Sequence, residues 1–240
     1  MSVKLLGETF DSMQSVSTES GLRREMAQFA KTLGFDTFIY ALRVTAPSLT
    51  SREFHLSGYP AQWVERYLTC GYYAVDPVIQ HCLTSRLPVI WDADTLNDRN
   101  AGEFWEEARS FGLQAGVSFS VQEQPGFAGI FSLSRDQAID IDGDELAALI
   151  GKAHVFATVL HHTVSRVCRP RLVPQSNVDL TARERECLKW SAVGKTTREI
   201  GDILGITERT AIFHMNNVVR KLGAINKTHA IVRALALKYV

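Results

Sequence analysis

The sequence lacks most of the groups that build small enzymes and disulfide scaffolds. Its four cysteines, Cys70, Cys82, Cys168 and Cys187, are scattered with no C-x-x-C spacing. Neither a structural zinc site nor a dithiol redox motif is therefore expected, and the thiols read as reduced, in a cytoplasmic protein. No apolar run approaches the ~20 residues that cross a bilayer, so no membrane partner is expected. The opening stretch MSVKLLGETFDS carries an acid by position 8 and no extended apolar segment, unlike a secretory signal. There is no G-x-S-x-G elbow and no H-x-H or H-E-x-x-H spacing, which speaks against the common serine and metal hydrolases. A phosphorylation receiver is disfavoured too, because the front of the chain lacks regular βαβ alternation and an acidic cluster closing an early strand. No catalytic residue, metal or cofactor is expected.

Net charge is also missing, since 26 Lys+Arg balance 26 Asp+Glu. The balance hides a split. Residues 1–168 hold 13 basic against 20 acidic residues, and residues 169–240 hold 13 against 6. A basic tail behind an acidic body points to a polyanion partner for the tail alone. At 240 residues two domains are expected. Pro170 and Pro174 in RPRLVPQSN mark a linker over 169–177, between a domain at 1–168 and a smaller one at 178–240.

The tail reads as four helices. Thr181-Ala-Arg-Glu184 and Thr196-Thr-Arg-Glu199 are both S/T-x-x-E capping boxes. The helices they open carry Leu188 and Trp190 towards Gly194, and Ile200, Ile203 and Leu204 towards Gly205. Thr207 caps a third helix with an apolar face of Ala211, Met215 (or His214), Val218 and Leu222. A fourth, from Asn226 to about Leu237, adds Ile231 and Leu235. Two short helices about a glycine turn form a helix-turn-helix suited to the major groove of double-stranded DNA. The candidate contacts are Lys195, Thr196, Arg209, Phe213, Asn216, Asn217, Arg220 and Lys221. Asn pairs with adenine and Arg with guanine, while Lys195, Arg209, Arg220 and Lys221 are placed for phosphates. The same stripe read alone is a solvated helix face. From Leu180 to Leu222, with Glu184, Leu188, Gly194, Ile200, Leu204, Thr210 and Lys221-Leu222, the tail resembles the DNA-binding domain of LuxR-type regulators. The sequence departs from many relatives at Ile212 and Phe213, where they carry Lys or Arg.

In the front, helices are expected over 18–33, 60–68, 76–83, 100–111 and 142–167. Strands are expected over 35–44 and 52–56, with a hairpin of 116–121 and 127–134. The last helix aligns Leu146, Leu149, Ala153, Phe156, Leu160, Val164 and Val167, and leaves His161 and His162 to titrate at its surface. This pattern predicts an α+β chain: an N-terminal α/β/α sandwich with an antiparallel sheet, then an all-α four-helix domain.

Tyr59, Trp63, Tyr67, Asp76 and Trp91 supply aromatic bodies with polar edges and one carboxylate, the ingredients of an apolar pocket with a few orienting hydrogen bonds. Each also has a structural explanation, because Asp76 before Pro77 is an N-cap and a tryptophan belongs in a core. With Pro77 and Gly116, the set is similar to the acyl-homoserine-lactone-binding domain of quorum-sensing LuxR-type receptors. The resemblance then covers nearly the whole chain. It implies that the Trp63 indole donates to a lactone carbonyl and that Asp76 accepts from the ligand amide N–H. Tyr59 and Ser132 would donate to the amide carbonyl, and Trp91 would wall the head-group end, with Tyr67 beside them. Tyr40, Leu42, Phe54 and Val78 are the expected acyl-chain wall. The function implied is a quorum-sensing transcription regulator that binds an N-acyl-homoserine lactone autoinducer, forms a homodimer and reads a roughly palindromic operator. The alternative is a LuxR-type regulator controlled by another small ligand or by none.

Overall fold

The structure, a computed structural model, describes residues 3–45, 52–92, 101–124, 127–141, 143–172, 179–237 and 239–240. The chain divides into two compact units, the first comprising Met1–Val44 and Glu53–Val173 and the second built on Pro174–Val240. Asn100, Asp142, the hairpin tip at 125–126 and linker residues 173–177 lie outside the described residues.

The first unit runs α1 (Val3–Ser15), α2 (Glu19–Thr32), β1 (Thr37–Val44), β2 (Arg52–Ser57), α3 (Ala61–Thr69), a 3-10 turn at Tyr72–Ala74, α4 (Pro77–Thr84), β3 (Val89–Asp92), α5 (Gly102–Ser110), β4 (Ala115–Gln124), β5 (Phe127–Arg135) and α6 (Gly143–Leu172). Its sheet has the order β2-β1-β5-β4-β3, and the β1–β5, β5–β4 and β4–β3 pairs are antiparallel. Alternation along the strands divides the faces. Val117, Phe119 and Val121 of β4 and Phe131 and Leu133 of β5 join β1, α1, α2 and α6 in one core, where Phe29 stacks on Phe156 with centroids 3.7 Å apart. Behind the other face, α3, α4 and α5 bring Trp63, Val78, Phe104 and Trp105 together with Val89 and Trp91 of β3. The result is the expected α/β/α sandwich.

Several local expectations are corrected. Tyr40 lies on the α6 side of the sheet, its Oη 2.7 Å from His161 Nδ1, so it walls no ligand. His161 is accordingly 3% exposed, and only His162 of that pair faces solvent. The long helix continues through Pro170 to Leu172, four residues into the stretch read as linker. A proline removes the bond to the carbonyl four residues earlier and crowds that carbonyl, and here the disturbance falls in the last two turns of the helix.

The second unit holds α7 (Ala182–Ala192), α8 (Thr197–Leu204), α9 (Glu208–Lys221) and α10 (Lys227–Ala236). Both capping boxes form, closed by Glu184 and Glu199. Gly205 ends α8 at φ 65°, and a Cβ on Gly201 would meet the Ile206 carbonyl oxygen at 2.8 Å. The tight α8–α9 turn therefore needs glycine at both places. Leu188, Ile200, Ala211, Met215, Val218, Leu222, Ala230 and Ala234 form the core. Ile203 and Leu235, expected inside, are 44% and 55% exposed; on α10 the small Ala230 and Ala234 permit close helix approach instead.

Candidate ligand pocket and nucleic-acid interface

A cavity of about 560 Å³ lies between the sheet and α3–α5, and Tyr59, Trp63, Tyr67, Asp76, Trp91 and Ser132 all line it. Leu42, Phe54 and Val78 of the expected acyl wall line it as well. The local sequence explains how these side chains converge. Asp76 caps α4, its Oδ1 accepting from the Val78 and Ile79 amides at 2.8 and 3.3 Å. Pro77 at N1 has no N–H to compete for that oxygen. Its Oδ2 accepts from Tyr67 Oη at 2.8 Å and retains one lone-pair direction. The cap and the pocket readings of Asp76 thus describe two oxygens of one carboxylate.

Burial pushes the Asp76 carboxyl up to about 6, although the Tyr67 hydroxyl and the Ile79 and Val78 amides hold it down. Burial raises the Tyr67 and Tyr59 hydroxyls above their ordinary range, and the charge on Asp76 adds to both shifts. Both phenols therefore remain donors.

Trp63 is 3% exposed and meets Tyr67 edge-on at 5.8 Å between centroids. Its indole N–H has no acceptor among the described residues. Trp91 lies across β4 because residue 116 is glycine: a Cβ there would sit 2.3 Å from Trp91 Cζ2 and 2.4 Å from the Leu133 carbonyl oxygen. The Trp91 indole donates to Ser118 Oγ at 2.9 Å, and Ser118 Oγ lies 2.7 Å from Ser132 Oγ.

Ser118 was not among the sequence candidates for the ligand pocket, nor were the pocket-lining Phe104, Trp105 and Cys82. The strand pattern carried the signal for the serines, because β4 alternates apolar Val117, Phe119 and Val121 with Gly116, Ser118 and Ser120. A strand whose second face is small and polar yet covered by helices faces something other than a packed core.

On α9, Arg209, Phe213, Asn216 and Arg220 form an exposed stripe, Phe213 being 60% exposed. Ile212 beside it is 42% exposed. Asn217 Oδ1 accepts from the Arg220 guanidinium at 3.0 Å. Lys195 Nζ donates to Glu199 at 3.2 Å, and Thr196 is occupied as the α8 cap. Lys221 departs from expectation. Its ammonium donates to buried Glu184 Oε2 at 2.7 Å and to the Asp179 carbonyl at 2.9 Å, clamping α7 to the end of α9. Burial alone would raise Glu184, but Lys221 and the Thr181 amide outweigh it and hold the carboxyl below its usual range. Lys221 is therefore a structural tie.

Residues 18–164 match the autoinducer binding domain family, and residues 178–234 match the bacterial regulatory proteins of the luxR family. The transcriptional activator SolR of Ralstonia nicotianae is 37% identical over 96% of each chain. Among solved structures, Escherichia coli SdiA is 29% identical with a TM-score of 0.74, covering 95% of this chain and 94% of that one. SdiA in complex with octanoyl-rac-glycerol is 27% identical with a TM-score of 0.75, over 99% and 97%. The N-acylhomoserine lactone dependent factor CepR2 of Burkholderia cenocepacia is 29% identical over 71% and 98%, with a TM-score of 0.58. This chain belongs to the LuxR family of transcription regulators, in the group that joins an autoinducer-binding domain to a helix-turn-helix DNA-binding domain.

Proposed function

We propose that the autoinducer is an N-acyl-homoserine lactone and that the protein, in the cytoplasm, binds a roughly palindromic operator as a homodimer. The observation that carries the ligand class is the second oxygen of Asp76, a buried acceptor in a largely apolar cavity that the Trp63, Tyr59 and Ser132 donors also line. An acyl-homoserine lactone needs one acceptor for its amide N–H and donors for its carbonyls, each costly if left unpaired. In this reading Asp76 takes the amide N–H, Trp63 donates to the lactone carbonyl, and Tyr59 and Ser132 share the amide carbonyl. Tyr67 holds Asp76 in place. Leu42, Phe54 and Val78 flank the acyl chain. The ligand occupies space that would otherwise be void and stabilises the fold by mass action. On the DNA, Arg209, Asn216, Asn217 and Arg220 face the groove and its phosphates, with Lys195 and Thr196 at the start of α8 and Phe213 in apolar contact. The sensing domain covers 1–168 and the DNA domain 178–240.

A second reading follows from the SdiA complex, whose octanoyl-glycerol presents hydroxyls that Asp76 can equally accept. Thermal melting against N-acyl-homoserine lactones of increasing chain length, with octanoyl-glycerol beside them, separates the two. A lactone-specific rise in Tm is expected, lost in Asp76→Ala along with about 10- to 100-fold in affinity, the effect of removing a charged hydrogen-bond partner. A rise with octanoyl-glycerol alone would replace the lactone by a monoacylglycerol.

A further inference from the structure

The Trp91–Ser118–Ser132 chain has a direction. An indole N–H only donates, so Ser118 Oγ, 2.9 Å from Trp91 Nε1, is the acceptor of that bond. Ser118 is fully buried, and its remaining partner among the described residues is Ser132 Oγ at 2.7 Å. If Ser132 donated to Ser118, the Ser118 proton would have no acceptor among the described residues at a hydroxyl with no exposed surface, whereas Ser132 keeps 5% exposure, and the unmade hydrogen bond would go at full cost. Ser118 therefore donates to Ser132. The Ser132 proton is then displaced from the protein side, and Ser132 itself, 5% exposed, lines the cavity.

We infer that Trp91 and Ser118 are positioning residues that fix Ser132 as a hydrogen-bond donor aimed into the ligand cavity, so that a ligand must present an acceptor there. This inference rests on the lactone reading of the pocket and goes beyond it. It gives the Trp91 indole nitrogen a role that packing does not, and it brings Ser118, which borders the cavity with no exposed surface of its own, into recognition. Alignment along the chain strengthens the terminal donor, as in other hydrogen-bond chains in low dielectric.

The test compares affinities for N-octanoyl-homoserine lactone and its thioamide analogue, whose longer and bulkier C=S keeps the planar amide geometry but accepts weakly. Tyr59 also faces that carbonyl, so discrimination is read as a ratio of the two dissociation constants. Trp91→Phe, which keeps an aromatic ring and deletes the N–H, is expected to reduce the wild-type ratio about 3- to 5-fold, the worth of one neutral hydrogen bond. Ser118→Ala should do the same and Ser118→Thr should restore it. In a Ser132→Ala background, Trp91→Phe should leave the ratio unchanged. A purely structural role would lower both affinities together and leave the ratio intact in every background, which would overturn the inference; Ser118→Ala decides the matter if Trp91→Phe does not fold. Wild-type protein that binds neither compound would overturn the lactone reading itself, and the donor assignment with it.

Discussion

Asp76 sets the pH behaviour of the pocket. Its carboxyl titrates near 6 in the folded protein, above the range of an unfolded chain. Between the two values the folded state binds more protons, so this residue favours folding at acid pH and opposes it increasingly as pH rises through 6. The cost of burying the ionised form is on the order of 3 kcal/mol at neutral pH. A ligand N–H bonded to the ionised carboxylate offsets that cost. The rise in Tm produced by an acyl-homoserine lactone is therefore expected to grow from pH 5 to pH 7, relative to the same measurement on Asp76→Asn. A ligand-induced rise that is flat over this range would mean that the carboxylate stays out of contact with the ligand. The same residue shows what spacing alone conveys. Asp76-Pro77 announces an N-cap, whereas the hydroxyl reaching its other oxygen comes from Tyr67 on a different helix, and only the folded chain brings that phenol to it.

At the scale of elements, capped helices were the most sharply legible, and the uncapped α3 and α5 were found by their apolar periodicity. Both S/T-x-x-E boxes, the Asp76-Pro77 start and the Asn226 cap mark helices at the observed positions. β3 was missed because it is four residues long with a single pairing partner, β4. Helix α1 was not expected from the sequence, and what ends it comes from elsewhere in the chain. The Arg166 guanidinium on α6 donates to the carbonyls of Met13, Gln14 and Val16 at 3.3, 3.1 and 2.8 Å. A cation at a helix C-terminus satisfies otherwise orphaned carbonyls and favours the dipole. Arg166→Ala is expected to cost about 1 kcal/mol, read as loss of amide protection over α1 with little change in the sheet; unaltered exchange in α1 would show that Met13 and Val16 hold it by packing alone. Strand faces were harder to assign, as Tyr40 shows: a strand covered on both sides by helices offers no solvent-facing side to orient its alternation.

For the whole molecule, the acidic front and basic tail make DNA affinity depend on salt through a few tail residues. Removing Arg220 should weaken binding and lower the slope of log affinity against log salt by about one. Lys221 should behave differently, since losing its ammonium leaves Glu184 buried without its cation. Lys221→Ala is expected to destabilise the second unit by about 2 kcal/mol, the cost of an unsatisfied buried group, while the folded fraction keeps the wild-type salt slope; a slope reduced as in Arg220→Ala would return Lys221 to the phosphate contacts.

Two oily clusters flank one sheet, and only the α1, α2 and α6 side is packed directly onto it along its length. On the opposite side, Ser118, Ser120 and Ser132 line a gap beneath α3–α5. The layer on that side shares much of its footing with whatever guest sits between it and the strands.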